Sequence, residues 1–426
     1  MLGAVRKAID WQWPMVALRP ISGKYRPMEL SYRRDPYAHL DRLRAQAPVY
    51  YSRPIGSYMV SSYAGVQAVL RDQRFVSDRK LDTSFRNRMT YKMANFSPKE
   101  AAAFDATLTA ASAEDHLRMR SAINYDLSRS RVEKLRPRME FWVDRLLDRA
   151  QERGSMDLIA DFAGPLPIFI AAELLGFPPE DADKLQEWSD SYIVLVDPLI
   201  EGAGLGRMRR AFHEFDAYIG QTLRRKTAEP GDDLISRLLE RQKDGELTEL
   251  QVRTLTLMLV VAGHEVITNL IGNAIACLLR FPDERERLQK DPSLMDTAIE
   301  EFIRYESPIQ SAWRIAPEEI EVGGVRVPAG RAVTVLIGAA NHDPERFPDP
   351  HRLDVGRADN KHLGFALGSH FCAGPNLARI EGGVALRRLL ERFPDFSGDG
   401  AALKWKPAMG LRGLYELPIS TGAGSR

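Results

Sequence analysis

One cysteine near the C-terminus lies among glycines in the stretch GFALGSHFCAGPNLARIE, residues 364–381. Glycines let a backbone approach a flat ligand closely, and Pro375 is suited to the first position of a helix. The N–H groups and dipole at the start of that helix favour negative charge on the Cys372 sulfur. A thiolate held in this way can ligate iron. An isolated cysteine is more often a buried structural residue, but the glycine loop with its aromatic and histidine residues favours the ligand.

A second candidate for chemistry is the stretch LVVAGHEVITNLIG, residues 259–272, in which a histidine and a glutamate interrupt an apolar run. A buried carboxylate costs several kcal/mol unless it is paired or borders a wet cavity. A zinc motif of the HExxH type needs a second histidine at position 268, where this chain has Thr268, so that explanation fails. Two interpretations stay open, namely a polar pair satisfied by neighbouring backbone and a carboxylate beside a cavity.

Composition excludes several classes of protein. Apolar residues make up 44% of the 426-residue chain, and 59 basic residues balance 58 acidic ones. This balance disfavours nucleic-acid binding and argues against a charged membrane-binding surface. Cys277 and Cys372 lie far apart and form no zinc-like spacing, which suits a reducing cytoplasm. The N-terminal residues lack a secretory signal or a membrane span, so we expect a soluble, cytoplasmic protein.

The elements that must position these residues are mostly helical. Nearly everything from Ala113 to Lys290 has the apolar spacing of amphipathic helices, and the longest helix begins at a capping box of Thr248 and Gln251 and runs to about Arg280. Helices are also predicted at 36–46 and 377–392, strands at 49–52 and 57–62, and a hairpin within 319–337 that turns at Gly323 and Gly324. The sequence predicts a mainly α protein with minor β. We expect one domain over residues 1–426, with a small N-terminal sheet region at about 36–100 and a helical body at about 101–426.

The cysteine loop resembles the FGxGxHxCxG haem-binding loop of the cytochrome P450 family, and the other family motifs follow in order over essentially the whole chain. Glu301 and Arg304 match the ExxR motif, and the stretch 344–347 is similar to the family's PERF segment. EDHLRMRS resembles the HxxxR helix, and AGHEVIT resembles the oxygen-activation segment AGx(D/E)T. The resemblance implies the P450 fold, with a long central helix over the haem and the cysteine loop below it.

The resemblance also implies roles for individual residues. Cys372 would ligate the iron of haem b, and Arg346 of the PERF-like segment would complete a buried network with Glu301 and Arg304 behind the haem. The implied cofactor-binding residues are His116, Arg120, Arg314, Phe365, His370, Cys372 and Gly374, of which His116, Arg120, Arg314 and His370 would contact the haem propionates.

Three positions of the catalytic segment fit the family, and one departs from it. Ala262 and Gly263 would make room for dioxygen, and Glu265 matches the acid that relays protons toward it. Val266 stands where the family usually has a threonine hydroxyl, and it has no donor or acceptor. Thr268 lies about 200° further around the helix, so we expect its hydroxyl to point away from the oxygen. Ala366 also replaces a usual glycine, and it adds a methyl group beside the haem loop.

Three hypotheses account for proton delivery without the threonine. A substrate hydroxyl or bound water completes the relay, the enzyme uses peroxide directly, or the reaction draws on the oxidised iron without ordinary oxygen insertion. The first is favoured.

The resemblance implies a monooxygenase that hydroxylates, or oxidises in a related way, a mainly hydrophobic small organic molecule, in secondary metabolism. Alternatives are a peroxide-using or oxidative-coupling P450 and a non-catalytic haem-thiolate sensor or binding protein. We expect the pocket to be built from segments 85–96 and 192–205, the oxygen-activation segment and residues around 309–313 and 409–411. Its predicted members are Met89, Met93, Ile309, Trp313, Met409 and Leu411. The stretch IEGAGLG, residues 200–206, is either a mobile lid or a plain connection.

No flavin or ferredoxin module follows the haem-binding loop, so the resemblance implies that electrons come from separate proteins. The expected partners are dioxygen and a ferredoxin or flavodoxin with its reductase. Arg118, Lys361 and Arg379 are candidates for pairing with an acidic partner near Cys372, and solvated surface charge is the alternative.

Overall fold

The computed structural model describes residues 30–53, 55–83, 97–196, 205–406 and 409–422. The helices are α1 (Leu30–Arg34), α2 (Tyr37–Gln46), α3 (Tyr63–Arg71), α4 (Pro98–Asp105), α5 (Ala113–Asn124), α6 (Arg129–Glu133), α7 (Arg136–Arg153), α8 (Pro165–Leu175), α9 (Ala182–Val196), α10 (Leu205–Ala228), α11 (Leu234–Lys243), α12 (Glu249–Arg280), α13 (Pro282–Lys290), α14 (Met295–Tyr305), α15 (Ile337–Ala340) and α16 (Pro375–Arg392). The strands are β1 (Val49–Ser52), β2 (Ser57–Val60), β3 (Ser155–Asp157), β4 (Ser311–Ala316), β5 (Ile320–Val322), β6 (Val325–Val327), β7 (Arg331–Leu336) and β8 (Pro418–Ser420). The prediction of a mainly α protein with minor β is confirmed.

The long helix α12 forms as its sequence predicts. Thr248 Oγ1 accepts a hydrogen bond from the Gln251 backbone N–H at 3.2 Å, and Gln251 Oε1 accepts one from the Thr248 N–H at 2.9 Å. These two bonds satisfy backbone donors that a helix start leaves unpaired. In the described part of the chain, α12 is the one helix long and apolar enough to cross a membrane, and most of that apolar stretch is buried inside the protein. It packs against α8, α9, α10, α14 and α16, and is therefore the central core helix.

The predicted N-terminal strands form half of a larger sheet. β1 pairs antiparallel with β2, as the hairpin pattern predicts, and Gly56 takes a positive φ of 72° in the turn between them. β2 then pairs in parallel with β7, and β7 pairs antiparallel with β4, which gives the order β1-β2-β7-β4. Strands from both ends of the chain therefore share one sheet and one core cluster, in which Val60 lies with Val335.

The second predicted hairpin joins β5 and β6, with Gly323 and Gly324 at positive φ in its turn. Such backbone angles favour glycine, as the sequence indicates. Helix α16 begins at Pro375, two residues before the predicted start, and packs against α7, α12 and α14. The loop that carries the cysteine therefore leads into a helix that contacts the central helix directly.

Candidate active site

The cysteine loop folds tightly against two helices. The Cys372 N–H donates to the Phe365 carbonyl at 2.9 Å, which closes the loop on itself. Gly368 has a φ of +73°, and a Cβ there would lie 2.4 Å from the Leu70 carbonyl oxygen of α3. A Cβ on Gly364 would lie 2.5 Å from Ile303 Cγ2 of α14. A side chain at either position would clash with a neighbouring helix, so close packing within the protein requires glycine there.

Opposing effects act on the thiol of Cys372. The pKa of this thiol is raised above its usual value, because burial outweighs the lowering by a hydrogen bond from the Gly374 N–H and by the charges of Arg120 and Arg379. The Gly374 N–H belongs to the residue that caps α16, so the start of this helix faces the sulfur, as predicted. A cation bound at the sulfur would add to these effects and favour the thiolate.

Basic side chains from three parts of the chain converge beside this loop. The ring centroids of His116 and His370 lie 4.3 Å apart, and the buried His116 Nε2 has no hydrogen-bond partner among the described residues. Arg314 is buried on β4 and donates to the Trp313 carbonyl at 2.8 Å. Within the described ranges, no carboxylate forms an ion pair with Arg314 or His116. The cluster thus has the charge and the open donors to receive acidic groups from a ligand.

The pKa values of this cluster are lowered first by burial and, at the two histidines, also by neighbouring positive charge. Burial, reinforced by Arg314, His116 and Arg120, lowers the pKa of His370 to about 3. Burial and the two neighbouring guanidinium groups also lower the pKa of His116, and burial alone lowers the pKa of Arg314 to about 10. His370 Nε2 lies 3.0 Å from Ser77 Oγ, which is its hydroxyl partner. A carboxylate placed among these groups would oppose each of these shifts by favouring the charged form.

Arg120 of α5 holds the cysteine loop from the side. Its guanidinium donates from Nη1 to the Phe371 carbonyl at 2.6 Å and from Nη2 to the Cys372 carbonyl at 3.0 Å. Its Nε donates to Asn124 Oδ1 at 3.0 Å. Arg120 is predicted to contact a haem propionate. Its hydrogen bonds to the loop also hold the backbone of Cys372 in place.

The middle of α12 has one open face. Ala262 is exposed, and Gly263 and Val266 are partly exposed, although the residues between and beside them are buried. Apart from the backbone of its own helix, no atom of the described residues would lie within 4 Å of a Cβ on Gly263. Residues one, three and four positions apart define one side of a helix. This core helix therefore borders open space at the positions predicted to make room for dioxygen.

The adjacent polar residues of the same segment point to different partners. His264 Nδ1 lies 2.9 Å from Ser189 Oγ of α9, and burial lowers the pKa of His264 to about 4. Glu265 Oε1 lies 2.7 Å from Lys406 Nζ and accepts from Asn269 Nδ2 at 3.2 Å. Side chains, including one ammonium, satisfy the carboxylate, so the backbone-satisfied interpretation does not hold for Glu265.

The structure supports the reasoning about Val266 and Thr268. The Thr268 hydroxyl donates to the carbonyls of Ala163 at 3.1 Å and His264 at 2.9 Å, away from the open face. Val266 and Ile309 both pack against Leu411, and a backbone bridge joins Ile309 to Leu411. At this position the open face is therefore apolar.

The predicted role of Arg346 in the buried network is wrong. Glu301 pairs with Arg304 through two bonds of 2.8 Å, as the ExxR spacing predicts, and both side chains are fully buried. The third member is Arg357, whose Nε lies 3.1 Å from Glu301 Oε2. Arg346 instead pairs with Asp359 near the surface, at 2.7 and 3.0 Å. The loop after α15 turns the first arginine outward and brings the later one back onto α14.

The predicted pocket residues are only partly brought together. Leu411 adjoins the open face through Val266, Ile309 packs against Leu411, and Trp313 is partly buried on β4. Met409 packs against a cluster of N-terminal residues around Leu40 and Met59. Met89 and Met93, with segment 85–96 and most of the 200–206 stretch, lie outside the described residues.

The three arginine and lysine candidates for partner docking differ in their surroundings. Arg118 pairs with Glu114 and Asp115 on its own helix. Arg379 is bound by both oxygens of Glu300, at 2.6 and 2.9 Å, and its guanidinium lies 4.5 Å from the centre of the Phe365 ring. Lys361 is exposed.

Comparison with known proteins agrees with this geometry. The family model for cytochrome P450 matches residues 203–395. The chain is 42% identical to cytochrome P450 107B1 of Saccharopolyspora erythraea over 72% of this chain and 76% of that protein. It is 36% identical to 6-deoxyerythronolide B hydroxylase of the same organism, over 91% and 96% of the two chains. The solved structure of P450BioI in complex with an acyl carrier protein ligated to hexadec-9Z-enoic acid superposes with a TM-score of 0.83 at 32% identity, covering 92% of this chain and 98% of that one.

Members of this family bind haem b through a cysteine thiolate and act as oxidoreductases on organic substrates. The buried His116 Nε2, which has no partner among the described residues, the adjacent basic side chains, the tight glycine loop and the open face of α12 fit such a group. The chain therefore belongs to the cytochrome P450 family and is a haem-binding oxidoreductase.

Proposed function

We propose that this protein is a haem-thiolate monooxygenase that oxidises a mainly hydrophobic small molecule of secondary metabolism with dioxygen. The observation that carries the proposal is the cysteine loop beside four basic side chains, with the open face of α12 nearby on the helix packed against α16. Thiolate-ligated haem supplies the activation of dioxygen for insertion into a substrate bond. The chain's own residues bind and orient the group, shape the pocket and deliver protons.

Cys372 is the proposed metal ligand. The N–H of Gly374 donates to its sulfur, and Arg120 holds the carbonyls of Phe371 and Cys372, so the loop cannot move without breaking these bonds. Phe365 accepts the Cys372 N–H through its carbonyl and lies under the Arg379 guanidinium. These contacts place the sulfur before the cofactor arrives, which lowers the ordering cost of binding.

His116, Arg314 and His370 are the proposed anchors for the two carboxylates of haem b, with Arg120 at the edge of the cluster. Their buried donors lack an acidic partner within the described ranges, and an unpaired buried charge is unfavourable. Binding of the propionates would satisfy these donors. The same contacts fix the orientation of the cofactor over the loop.

Proton delivery is proposed to depend on Glu265, because Val266 offers no hydroxyl and the hydroxyl of Thr268 is committed to two carbonyls. A hydroxyl of the substrate, or a water molecule bound beside it, would complete the path from Glu265. This explains why an ionisable side chain is retained at the edge of an otherwise apolar face.

Electrons are proposed to come from a ferredoxin or flavodoxin with its reductase, in a cytoplasmic setting that suits two unpaired cysteines. A surface groove of about 400 Å³ beside α16 has Arg129, Arg136, Arg379 and Arg387 in its wall. Glu133 and Glu300 of the same wall bind Arg136 and Arg379, so Arg129 and Arg387, together with exposed Lys361, support docking of an acidic protein on this side. Charge reversal at Lys361 and Arg387 is expected to slow reduction without changing substrate binding.

The substrate arrives either free or on a carrier protein. One relative is named as the hydroxylase of 6-deoxyerythronolide B, and another was solved with a fatty acid ligated to an acyl carrier protein. The test is a titration of the purified haem protein with terpenoid, steroid, aromatic, polyketide and cyclic-peptide compounds, including 6-deoxyerythronolide B and free and carrier-bound hexadec-9Z-enoic acid. A shift of the Soret band identifies the class that displaces water from the iron. Oxygen consumption with product, driven by a ferredoxin and its reductase, is the expected result. Absence of both in protein with intact haem would overturn the proposal in favour of a sensor.

A further inference from the structure

A short hairpin near the C-terminus is attached to α12 beside the open face. Residues 404–406 pair with residues 413–415, and the Lys406 N–H donates to the Gly413 carbonyl at 2.9 Å. We call this pair of segments the C-terminal hairpin. Leu411, on the connection between its two arms, packs against Val266. One element therefore contacts both the acid and the apolar wall of the open face.

Three polar residues of α12 hold the hairpin. Glu265, Asn269 and Asn273 follow one another at four-residue spacing and therefore share a side of the helix. Asn269 packs so closely on Gly413 that a Cβ there would lie 1.7 Å from its amide oxygen. Asn273 Nδ2 donates to the Arg412 carbonyl at 2.9 Å. The position of the hairpin on the helix is fixed at three successive turns.

The first of these contacts is an ion pair in a nearly buried place. The side chains of Lys406 and Glu265 are 16% and 7% exposed, and their charged atoms are 2.7 Å apart. The one other hydrogen bond that Glu265 makes to described residues comes from Asn269, a neutral amide. Without the ammonium, a nearly buried carboxylate would keep only that weaker partner and would turn toward water.

We propose that Lys406 is a positioning residue for proton delivery, because its ammonium holds the Glu265 carboxylate at the edge of the open face of α12. This inference rests on the proposed function. The backbone of Lys406 is fixed by the hairpin, so the ammonium has a defined place and the carboxylate follows it. Because Val266 has no hydroxyl to orient a water molecule, Glu265 is the side chain of this segment whose placement governs proton delivery to the substrate hydroxyl or water molecule that completes the path.

The test uses hydrogen peroxide and guaiacol, since these probes need no knowledge of the natural substrate. Each peroxide that is reduced to two waters takes two electrons and two protons from guaiacol. Breaking the O–O bond requires a proton to move between the oxygens, which a placed carboxylate assists. Lys406→Met is expected to lower the rate by about tenfold, and Lys406→Arg should recover it to within about threefold. In a Glu265→Gln background, Lys406→Met should cause no further loss.

Lys404 provides a matched control on the same arm of the hairpin. It forms an ion pair of 2.6 Å with Glu416, and both side chains are exposed. Lys404→Met should leave the rate unchanged. Affinity for imidazole and haem content, measured from the absorption spectrum, should stay within about twofold of the parent protein in every variant.

Each other outcome has a defined meaning. An unchanged rate in Lys406→Met would overturn the inference, as would a loss of imidazole affinity and haem content in proportion to the lost rate. The second result would make Lys406 only a structural part of the hairpin. A parent protein with intact haem that oxidises neither guaiacol nor any substrate would overturn the proposed function, and the inference with it.

Discussion

Arg357 Nε lies 3.1 Å from Glu301 Oε2, the same carboxylate oxygen that accepts a hydrogen bond from Nε of the helical partner Arg304. Asn360 Nδ2 donates to the same oxygen at 3.0 Å, and the Asp354 N–H donates to Oε1 at 2.9 Å. Glu301 therefore ties the loop 354–360, which leads to the cysteine loop, onto α14. Both oxygens of this buried carboxylate accept hydrogen bonds. The network therefore fixes the loop that leads to the cofactor site relative to α14.

Replacing Arg357 by Met should destabilise the protein and reduce haem retention. Loss of a charged partner from a buried carboxylate costs on the order of 3 kcal/mol. Arg346→Met is the matched comparison, since its partner Asp359 is exposed and such pairs contribute below about 1 kcal/mol. Urea unfolding and haem content of the purified proteins measure both effects. If Arg346→Met loses more stability and haem than Arg357→Met, the prediction from the sequence that Arg346 completes the buried network would be correct after all.

The case of Arg357 shows where sequence reasoning ends. The Glu301–Arg304 pair was predictable because a helix fixes the geometry of residues three positions apart. Whether Arg346 or Arg357 reaches Glu301 depends on the path of an irregular loop. The local sequence pattern does not predict that path. The same applies to Lys406, whose partner Glu265 is distant in sequence and is reached only through the hairpin.

The fold was likewise predictable where local sequence determines an element and unpredictable where distant segments pair. The capping box at Thr248 and Gln251 and the proline at 282 defined α12 to within a residue, because local backbone requirements were enough. Period-two patterns found β1 and β2, but nothing local indicated that β2 would pair with β7. Pairing between distant strands is decided by the packing of the whole core.

Ala366 lies in the left-handed region with a φ of 57°, where the family loop usually has glycine. An L-residue in this conformation costs about 1–2 kcal/mol, and the methyl group regains part of this by partial burial. Ala366→Gly should therefore stabilise the protein by about 0.5–1 kcal/mol, seen as a higher Tm at constant haem content. Ala373→Gly, at a residue without positive φ in the same loop, should lower the Tm. Equal effects of the two changes would rule out backbone strain as the cause.

Glu381 on α16 should make stability depend on pH. Its carboxylate oxygens are buried without hydrogen-bond partners among described residues, and burial raises its pKa to about 8. In the unfolded chain the pKa of Glu381 is about 4.3, so between about pH 4 and pH 8 the unfolded chain binds fewer protons than the folded chain. The free energy of unfolding therefore falls as pH rises through this range. Glu381→Gln should remove this loss, on the order of 3 kcal/mol at pH 7. Denaturant unfolding at pH 5 and pH 8 measures it.

Glu391→Gln is the control for this experiment, since Glu391 is an exposed acid on the same helix. It should change stability by less than about 0.5 kcal/mol at either pH. A pH profile of Glu381→Gln that parallels the parent protein would show that Glu381 is ionised in the folded state.

Thr268→Val should leave catalysis nearly unchanged. Its hydroxyl donates to the Ala163 and His264 carbonyls, so the change removes hydrogen bonds within the core and costs about 1 kcal/mol of stability. Product formed per electron pair consumed should match the parent protein. A clear fall in this ratio, with intact haem, would mean that Thr268 replaces the missing hydroxyl after all.

Val266→Thr tests whether the substrate itself completes the proton path. Threonine has nearly the shape of valine, but its hydroxyl would face the apolar contacts of Ile309 and Leu411, at a cost of about 1 kcal/mol in stability. If a substrate hydroxyl serves the relay, the new side chain should raise the fraction of electrons that reach product severalfold for a substrate without that hydroxyl. It should do little for the substrate that carries it. Product and hydrogen peroxide measured side by side give this fraction, and equal improvement with both substrates would contradict the substrate-assisted path.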